Sequence, residues 1–231
     1  MLDRTFAQEF LQTIDDPAKH GVHLLFNAYW RFIPEDAKAK YVDAFHADPV
    51  LHAWYEERWF PEPYSFDALG ALAPNTLGYA YFRHIIDNDL NKEIATGYRG
   101  FHEHLERSGM LDNMPDEVKF STLRGFQTHD LQHMVTGFLT TGTGEIALQA
   151  FGVGQQPNLY NAIWMIVVTT RMAFLAPESQ QPIMDAITEG YMLGRRTPNL
   201  SVVKWETMLD RDLETIRREY GIPSQRMLMA A

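Results

Sequence analysis

"FQTHDLQHMVTGFLTTGTGEIALQAF", residues 126–151, decides the fold class. Its apolar residues recur at helical spacing on both sides of a Thr/Gly break, so it reads as two helices joined by a tight reversal. At about 100° per residue, His129 and His133 share one face, about 40° apart, while Leu131, Met134, Val135, Phe138 and Leu139 fill a broad sector elsewhere. Only a narrow polar strip remains around Gln132 and Thr136, as expected of a helix buried almost all round. Buried imidazoles need partners, and a cation with carboxylate co-ligands is one solution. Gly142 is placed to end the first helix in the left-handed conformation, and Thr143 to cap the second. A reversal across 140–144 then returns Glu145 toward the histidine face. The competing reading is an acidic residue that complements the dipole of a first helical turn. A capping box would need Ser or Thr where Gly142 stands.

Outward from this stretch, helical spacing dominates and no period-2 run of β-branched residues nominates a sheet. The pattern predicts helices over 3–14, 17–32, 35–46, 49–59, 76–88, 91–107, 116–139, 144–152, 158–175, 178–193 and 202–219. Pro17, Pro34, Pro49, Pro115 and Pro177 stand near predicted starts, where a missing N–H costs little. The clearest loop is "FPEPYSFDALGALAPN", 60–75, with three prolines. Without repeats, low-complexity tracts or a linker, the 231 residues are expected to form one all-α, compact multi-helix domain spanning 1–231.

Composition excludes several function classes. With 45% hydrophobic and 22% charged residues the chain is globular. A formal charge of -10 opposes non-specific nucleic-acid binding and a basic membrane-docking face. The absence of cysteine removes disulfides, thiolate ligands and a Cys nucleophile, so any metal takes N and O ligands. The start, "MLDRTFAQEFLQTIDD", lacks the basic and apolar regions of a secretory signal, and the mature chain is expected to begin there. The most apolar run, "AIWMIVV" at 162–168, is far shorter than the about 20 residues of a spanning helix and reads as a buried helix.

The i, i+4 histidines have zincin spacing, but Asp130 stands where a metalloprotease has its catalytic Glu. In "FHEHLE", His102 and His104 lie two apart, point to different faces and read as surface residues. An HD-type metal phosphohydrolase would combine one of them with His129, Asp130 and Asp185. It would leave His133 and Glu145 without roles and only Arg124 for phosphate. His20 and His23 read as structural or exposed. The aromatic "AWYEERWFPEPYSF" and Met-rich "IWMIVVTTRMAF" read as core packing or as walls of a lipid cavity.

His129, Asp130, His133 and Glu145 together spell H-D-x-x-H, eleven residues and E, which resembles the hallmark of the ubiquinone (coenzyme Q) biosynthesis family often called Coq-four. "LAPNTLGYAYFRHI", 72–85, is similar to a second family segment through Pro74, Thr76, Leu77, Gly78, Ala80 and Tyr81. The C-terminal stretch agrees through Gly194, Arg195, Glu206, Leu213, Arg217, Gly221 and Ile222. The resemblance covers roughly residues 70–222 and includes little of the first 70.

The resemblance implies an all-helical protein with an apolar cavity for a prenyl chain whose polar end lies near the His/Asp/Glu site. Phe126, Met134, Phe138, Trp164 and Met165 are the expected lipid-binding residues. It implies action on a polyprenylated benzoate, by oxidative decarboxylation at ring carbon 1. The alternative within the family is a non-catalytic prenyl-lipid scaffold for other ubiquinone biosynthesis proteins. His129, His133 and Glu145 are the expected ligands of a divalent iron, manganese or zinc ion. Asp130 is a fourth ligand or an acid/base group beside them, and Asp130 and Glu145 are the catalytic candidates. Such a substrate implies a cytoplasmic protein, peripheral on the inner face of the inner membrane. Leu2, Phe6, Phe10 and Leu11, and the terminal "MLMAA", are the candidate docking faces; a homodimer contact would use the same residues.

Overall fold

A computed structural model describes residues 4–224. They form α1 (Arg4–Asp15), α2 (Pro17–His20), α3 (Val22–Phe32), α4 (Glu35–Ala47), α5 (Pro49–Glu57), α6 (Phe66–Gly70) and α7 (Leu77–Asp87). There follow α8 (Lys92–Thr96), α9 (Arg99–Arg107), α10 (Asp116–Thr136), α11 (Gly142–Gln155), α12 (Leu159–Leu175), α13 (Gln180–Arg196) and α14 (Leu213–Glu219). Among the described residues there is no strand, only an isolated bridge between Thr76 and Asp212. The fold is all-α, as the spacing requires.

Helix α10 is the axle, because its apolar residues point in every direction. Leu131 and Val135 pack with Tyr81 of α7 and Phe151 of α11. Val118 and Leu123 enter a second cluster with α1, α3 and α12, and Phe120 a third with Phe45, Leu51 and Trp54. A side chain such as Leu131, fully buried, contributes about 2 kcal/mol.

Several predicted boundaries move. The helix expected over 17–32 breaks at Gly21, whose φ of 68° interrupts the hydrogen-bond ladder. That over 91–107 breaks around Gly97. Only α14 survives as α-helix from the stretch 202–219. There the backbone is committed elsewhere: Leu77 N donates to Arg211 O at 3.0 Å, Gly78 N to Leu209 O at 2.7 Å, and Leu213 N to Asn75 O at 2.9 Å. Leu77 and Gly78 open α7, so their N–H groups have no intrahelical acceptor and this segment supplies one.

The most consequential change lies at the reversal. Gly137, not Gly142, adopts the left-handed conformation, with φ 80°, and its N–H closes α10 on His133 O. Gly142 is the first residue of α11, and Thr141 rather than Thr143 caps it by accepting from Gly144 N at 3.2 Å. The turn is tight enough that a Cβ on Gly144 would lie 1.8 Å from Leu139 O.

Of the expected docking face on α1, Phe6 is buried against Tyr29 and Phe32 and Phe10 is partly covered, which leaves Leu11 exposed. Leu2 and the terminal "MLMAA" lie outside the described residues.

Candidate metal centre

The reversal between α10 and α11 places Glu145, in the first turn of α11, opposite the two histidines. Glu145 Oε2 is 3.4 Å from His129 Nε2, and Glu145 Oε1 is 3.2 Å from His133 Nε2. One ligand atom from each residue falls within 4.8 Å of the others, and among the described residues no other His/Asp/Glu group meets this way.

The hydrogen bonds behind the rings fix their tautomers. His133 Nδ1 donates to Phe138 O at 2.8 Å, the carbonyl that the Gly137 turn directs back at the helix. His129 Nδ1 donates to Asp130 Oδ1 at 3.1 Å. Each ring therefore turns the lone pair of Nε2 toward Glu145. A carboxylate only accepts, so lone pairs face lone pairs unless a proton or a cation lies between them. His133 Nε2 makes this plain: its side chain is fully buried, and despite the 3.2 Å approach to Glu145 it lacks a hydrogen bond of acceptable geometry.

Without a cation, protons answer the need. Burial works against charge on His129, but the bonds to Asp130 and Glu145 outweigh it and raise its pKa to about 9. Burial likewise opposes charge on Glu145, and the two histidines overcome it and hold its pKa at about 2. Asp130 is held below the usual carboxylate range, against its own burial, by His129 and His84. The donor set fits a divalent metal, with two neutral imidazoles and one carboxylate leaving coordination positions open. Asp130 stands behind His129 rather than beside Glu145, in the position of a ligand's hydrogen-bond partner.

His129 opens onto a cleft of about 820 Å³, counted with its mouth. Its polar wall includes Gln132, Gln149 and Asn161; its apolar wall includes Phe26, Phe126 and Tyr160. A second, mainly apolar cleft with Met110, Leu111 and Met114 shares Phe26, Thr122, Phe126 and Tyr160 with the first. Of the five expected lipid-binding residues only Phe126 lines these clefts. Met134 and Phe138 pack in the α7/α11 core and Trp164 against the α3/α12 core. Met165 is half-buried on α12 and lines neither cleft.

The constellation for phosphate-ester hydrolysis does not assemble. His104 lines the second cleft, His102 packs on Phe60, and Asp185 lies on α13 beside Gln181. Arg124 is 1% exposed and engaged by Glu206 at 2.8 Å, so it is not free for a phosphate.

The profile of the coenzyme Q (ubiquinone) biosynthesis protein Coq4 family matches residues 56–225, well over half of the sequence. The chain belongs to this family. The match begins upstream of the segment, roughly 70–222, that carries the motifs. Among Coq4 relatives, the mitochondrial ubiquinone biosynthesis protein coq4 of Neosartorya fischeri is 26% identical over 162 residues, 65% of this chain and 52% of that protein. The mitochondrial COQ4 homolog of Aedes aegypti is 28% identical over 163 residues, 68% of this chain and 53% of that protein. The chain thus spans about half the length of the curated relatives it matches. A crystal structure from Nostoc punctiforme, of a protein whose name assigns it to ubiquinone biosynthesis, superposes with a TM-score of 0.74 at 25% identity. It covers 95% of this chain and 97% of its own, so nearly all of the N-terminal helices belong to the shared fold.

The Coq4 residues outside the histidine motif have structural work that explains their types. Thr76 caps α7 by accepting from Tyr79 N at 3.3 Å. A Cβ on Gly78 would meet Leu209 O at 2.8 Å. Glu206 neutralises the buried Arg124, and Arg217 closes the end of α10. Sequence reasoning missed His84, which approaches Asp130 Oδ1 to 3.7 Å from α7. Its one signal was a histidine three residues after Tyr81 in the second family segment.

Proposed function

We propose that the chain acts in ubiquinone biosynthesis as a metal-dependent enzyme that decarboxylates a polyprenylated benzoate oxidatively at ring carbon 1. The observation that carries the reading is the meeting of two histidine Nε2 lone pairs with the Glu145 carboxylate, one of those nitrogens buried and without a hydrogen bond. His129, His133 and Glu145 would hold the ion. Iron or manganese there would supply oxygen chemistry, whereas zinc would supply only Lewis acidity.

The chain's own residues bind, orient and shield. Gln132, Gln149 and Asn161 offer hydrogen bonds to ring substituents beside His129, and the apolar wall through Phe26, Phe126 and Tyr160 takes the start of the prenyl tail. Asp130 holds the Nδ1 proton of His129 throughout, which keeps Nε2 aimed at the ion. In the net reaction the bond from ring carbon 1 to the carboxyl carbon breaks and carbon dioxide leaves. A hydroxyl with its oxygen from water takes its place, and two electrons and two protons pass to an oxidant such as dioxygen, which leaves as hydrogen peroxide.

No helix of the described residues is long and apolar enough to cross a membrane. We place the protein at the inner face of the inner membrane because its proposed substrate resides there, in contact with other ubiquinone biosynthesis proteins.

Glu145→Gln keeps shape and removes the charge, which tests the reading. Cells that rely on this copy should stop making ubiquinone and accumulate a prenylated ring that retains its carboxylate. Near-normal ubiquinone from a Glu145→Gln protein that elemental analysis shows to be metal-free would reject catalysis and favour a lipid-binding scaffold.

A further inference from the structure

His84 is a buried titratable side chain, 7% exposed, that the proposed reaction does not use. It comes from α7, outside the His/Asp/Glu motif. Its ring lies nearly parallel to those of Tyr81 and His133, at 21° and 23°, with centroids 6.4 and 6.3 Å away. Both of its nitrogens are addressed. Asn88 Nδ2 donates to His84 Nδ1 at 3.2 Å and to His84 O at 2.9 Å, so the neutral ring carries its proton on Nε2. That N–H faces Asp130 Oδ1 at 3.7 Å, beyond a hydrogen bond but well within the range of charge–dipole attraction. The same carboxylate oxygen receives His129 Nδ1 at 3.1 Å. Asn88 also reaches the other side of the site, because Thr140 Oγ1, in the α10/α11 reversal, donates to Asn88 Oδ1 at 3.0 Å.

We infer that His84 is a positioning residue for the metal centre: it steadies Asp130, which orients His129, and with Asn88 it ties α7 to the turn that delivers Glu145. The inference rests on the metal-site reading. It also gives Asp130 a definite place, since an oxygen held between two imidazoles is a support for a ligand rather than a fourth ligand. Loss of a partner that orients a metal-ligating histidine typically costs 10- to 100-fold in affinity.

The test is zinc affinity by chelator competition, with the cobalt(II) visible spectrum as a reporter of coordination geometry. His84→Phe keeps ring volume and stacking but loses both polar contacts, and should weaken zinc binding by about 10- to 100-fold while the metal-free protein still melts cooperatively. His84→Gln retains a donor and an acceptor and should recover most of the loss. In an Asp130→Asn background, His84→Phe should add little, because both changes act on one chain of contacts. Asn88→Ala, at an exposed position, should alter the cobalt spectrum and reduce affinity, and it decides the matter if His84→Phe does not fold. Wild-type protein that takes up neither metal would sink the metal reading and this inference with it. Tight wild-type binding that His84→Phe, or Asn88→Ala in its place, leaves unchanged would overturn this inference alone.

Discussion

The Arg217 guanidinium and the Val135 carbonyl are 82 residues apart in sequence and 2.9 Å apart in space. A second nitrogen of Arg217 donates to Met134 O at 2.6 Å. These carbonyls belong to the last turn of α10, where no intrahelical donor remains. The C-terminal helix α14 thereby holds the turn that carries His133, and the Arg of the C-terminal Coq4 segment is tied physically to the His/Glu cluster.

Arg217→Met should therefore destabilise the protein by about 3 kcal/mol, the cost of two buried carbonyls left without donors. Urea denaturation measures the loss. Metal affinity should fall as well, although Arg217 touches no ligand. Arg217→Lys should recover part of the stability but not all, because a point charge cannot serve two carbonyls in the geometry of the planar fork.

The reversal makes a sharper contrast. Gly144→Ala would force a Cβ to within 1.8 Å of Leu139 O, so the turn must open and Glu145 must move. The expected loss is about 3 kcal/mol or more, together with metal binding. Gly142→Ala meets nothing within 4 Å and its φ is not positive, so it should be neutral or stabilise by about 0.5 kcal/mol. Thermal melts of the two variants separate this arrangement from one in which Gly142 is the left-handed residue.

That contrast also shows where the sequence was readable. The common face of His129 and His133 follows from spacing alone, and the Thr/Gly break announces a reversal. Which glycine turns left-handed does not follow, since Gly137 and Gly142 both suit the role and the choice depends on Leu139 packing against Gly144. The stretch 202–219 misleads for a related reason: its periodicity is helical, but the first turn of α7 claims its carbonyls. Met134 and Phe138 stand in the packed α7/α11 core, a placement that helical spacing leaves open because it tells a buried face from an exposed one and not a packed core from a hollow. His84 stayed hidden because, although Asn88 caps the same helix, nothing local marks a histidine whose partner Asp130 meets it only through the packing of α7 on α10.

Thr122 is shared by the two clefts and is not one of the proposed ligands. If the tail runs from the first cleft into the second past this shared wall, Thr122→Phe should obstruct it while sparing the metal. Long polyprenyl benzoates should lose their stabilising effect on the melting temperature, which follows ligand binding by mass action. A ring with a single short prenyl unit should retain it, and zinc affinity should stay at the wild-type value. Equal stabilisation by long and short tails in the variant would place the tail elsewhere.

The pH dependence of stability reports on the ligand cluster from both sides. Glu145 titrates at about 2 in the folded protein against an ordinary 4.5, because the two facing imidazoles outweigh the burial that would raise it. Its contribution is present above the ordinary value and lost as pH falls through the folded one. His129 moves the other way, to about 9 against 6.5, because Asp130 and Glu145 outweigh the burial that would lower it. Its contribution is complete below 6.5 and lost as pH rises through 9. Chelator-treated protein should therefore be steadiest between about pH 4.5 and 6.5, with a melting temperature that declines from there toward pH 9. A divalent ion needs the lone pair that this proton occupies, so zinc added near pH 7.5 should release a proton. Calorimetry in buffers of different ionisation enthalpy counts it. The loaded protein should lose the alkaline decline attributed to His129, and Glu145→Gln should flatten both limbs in the metal-free state. An alkaline decline equally steep in wild type, loaded protein and Glu145→Gln would assign it to groups outside this site and remove the proton-for-metal exchange.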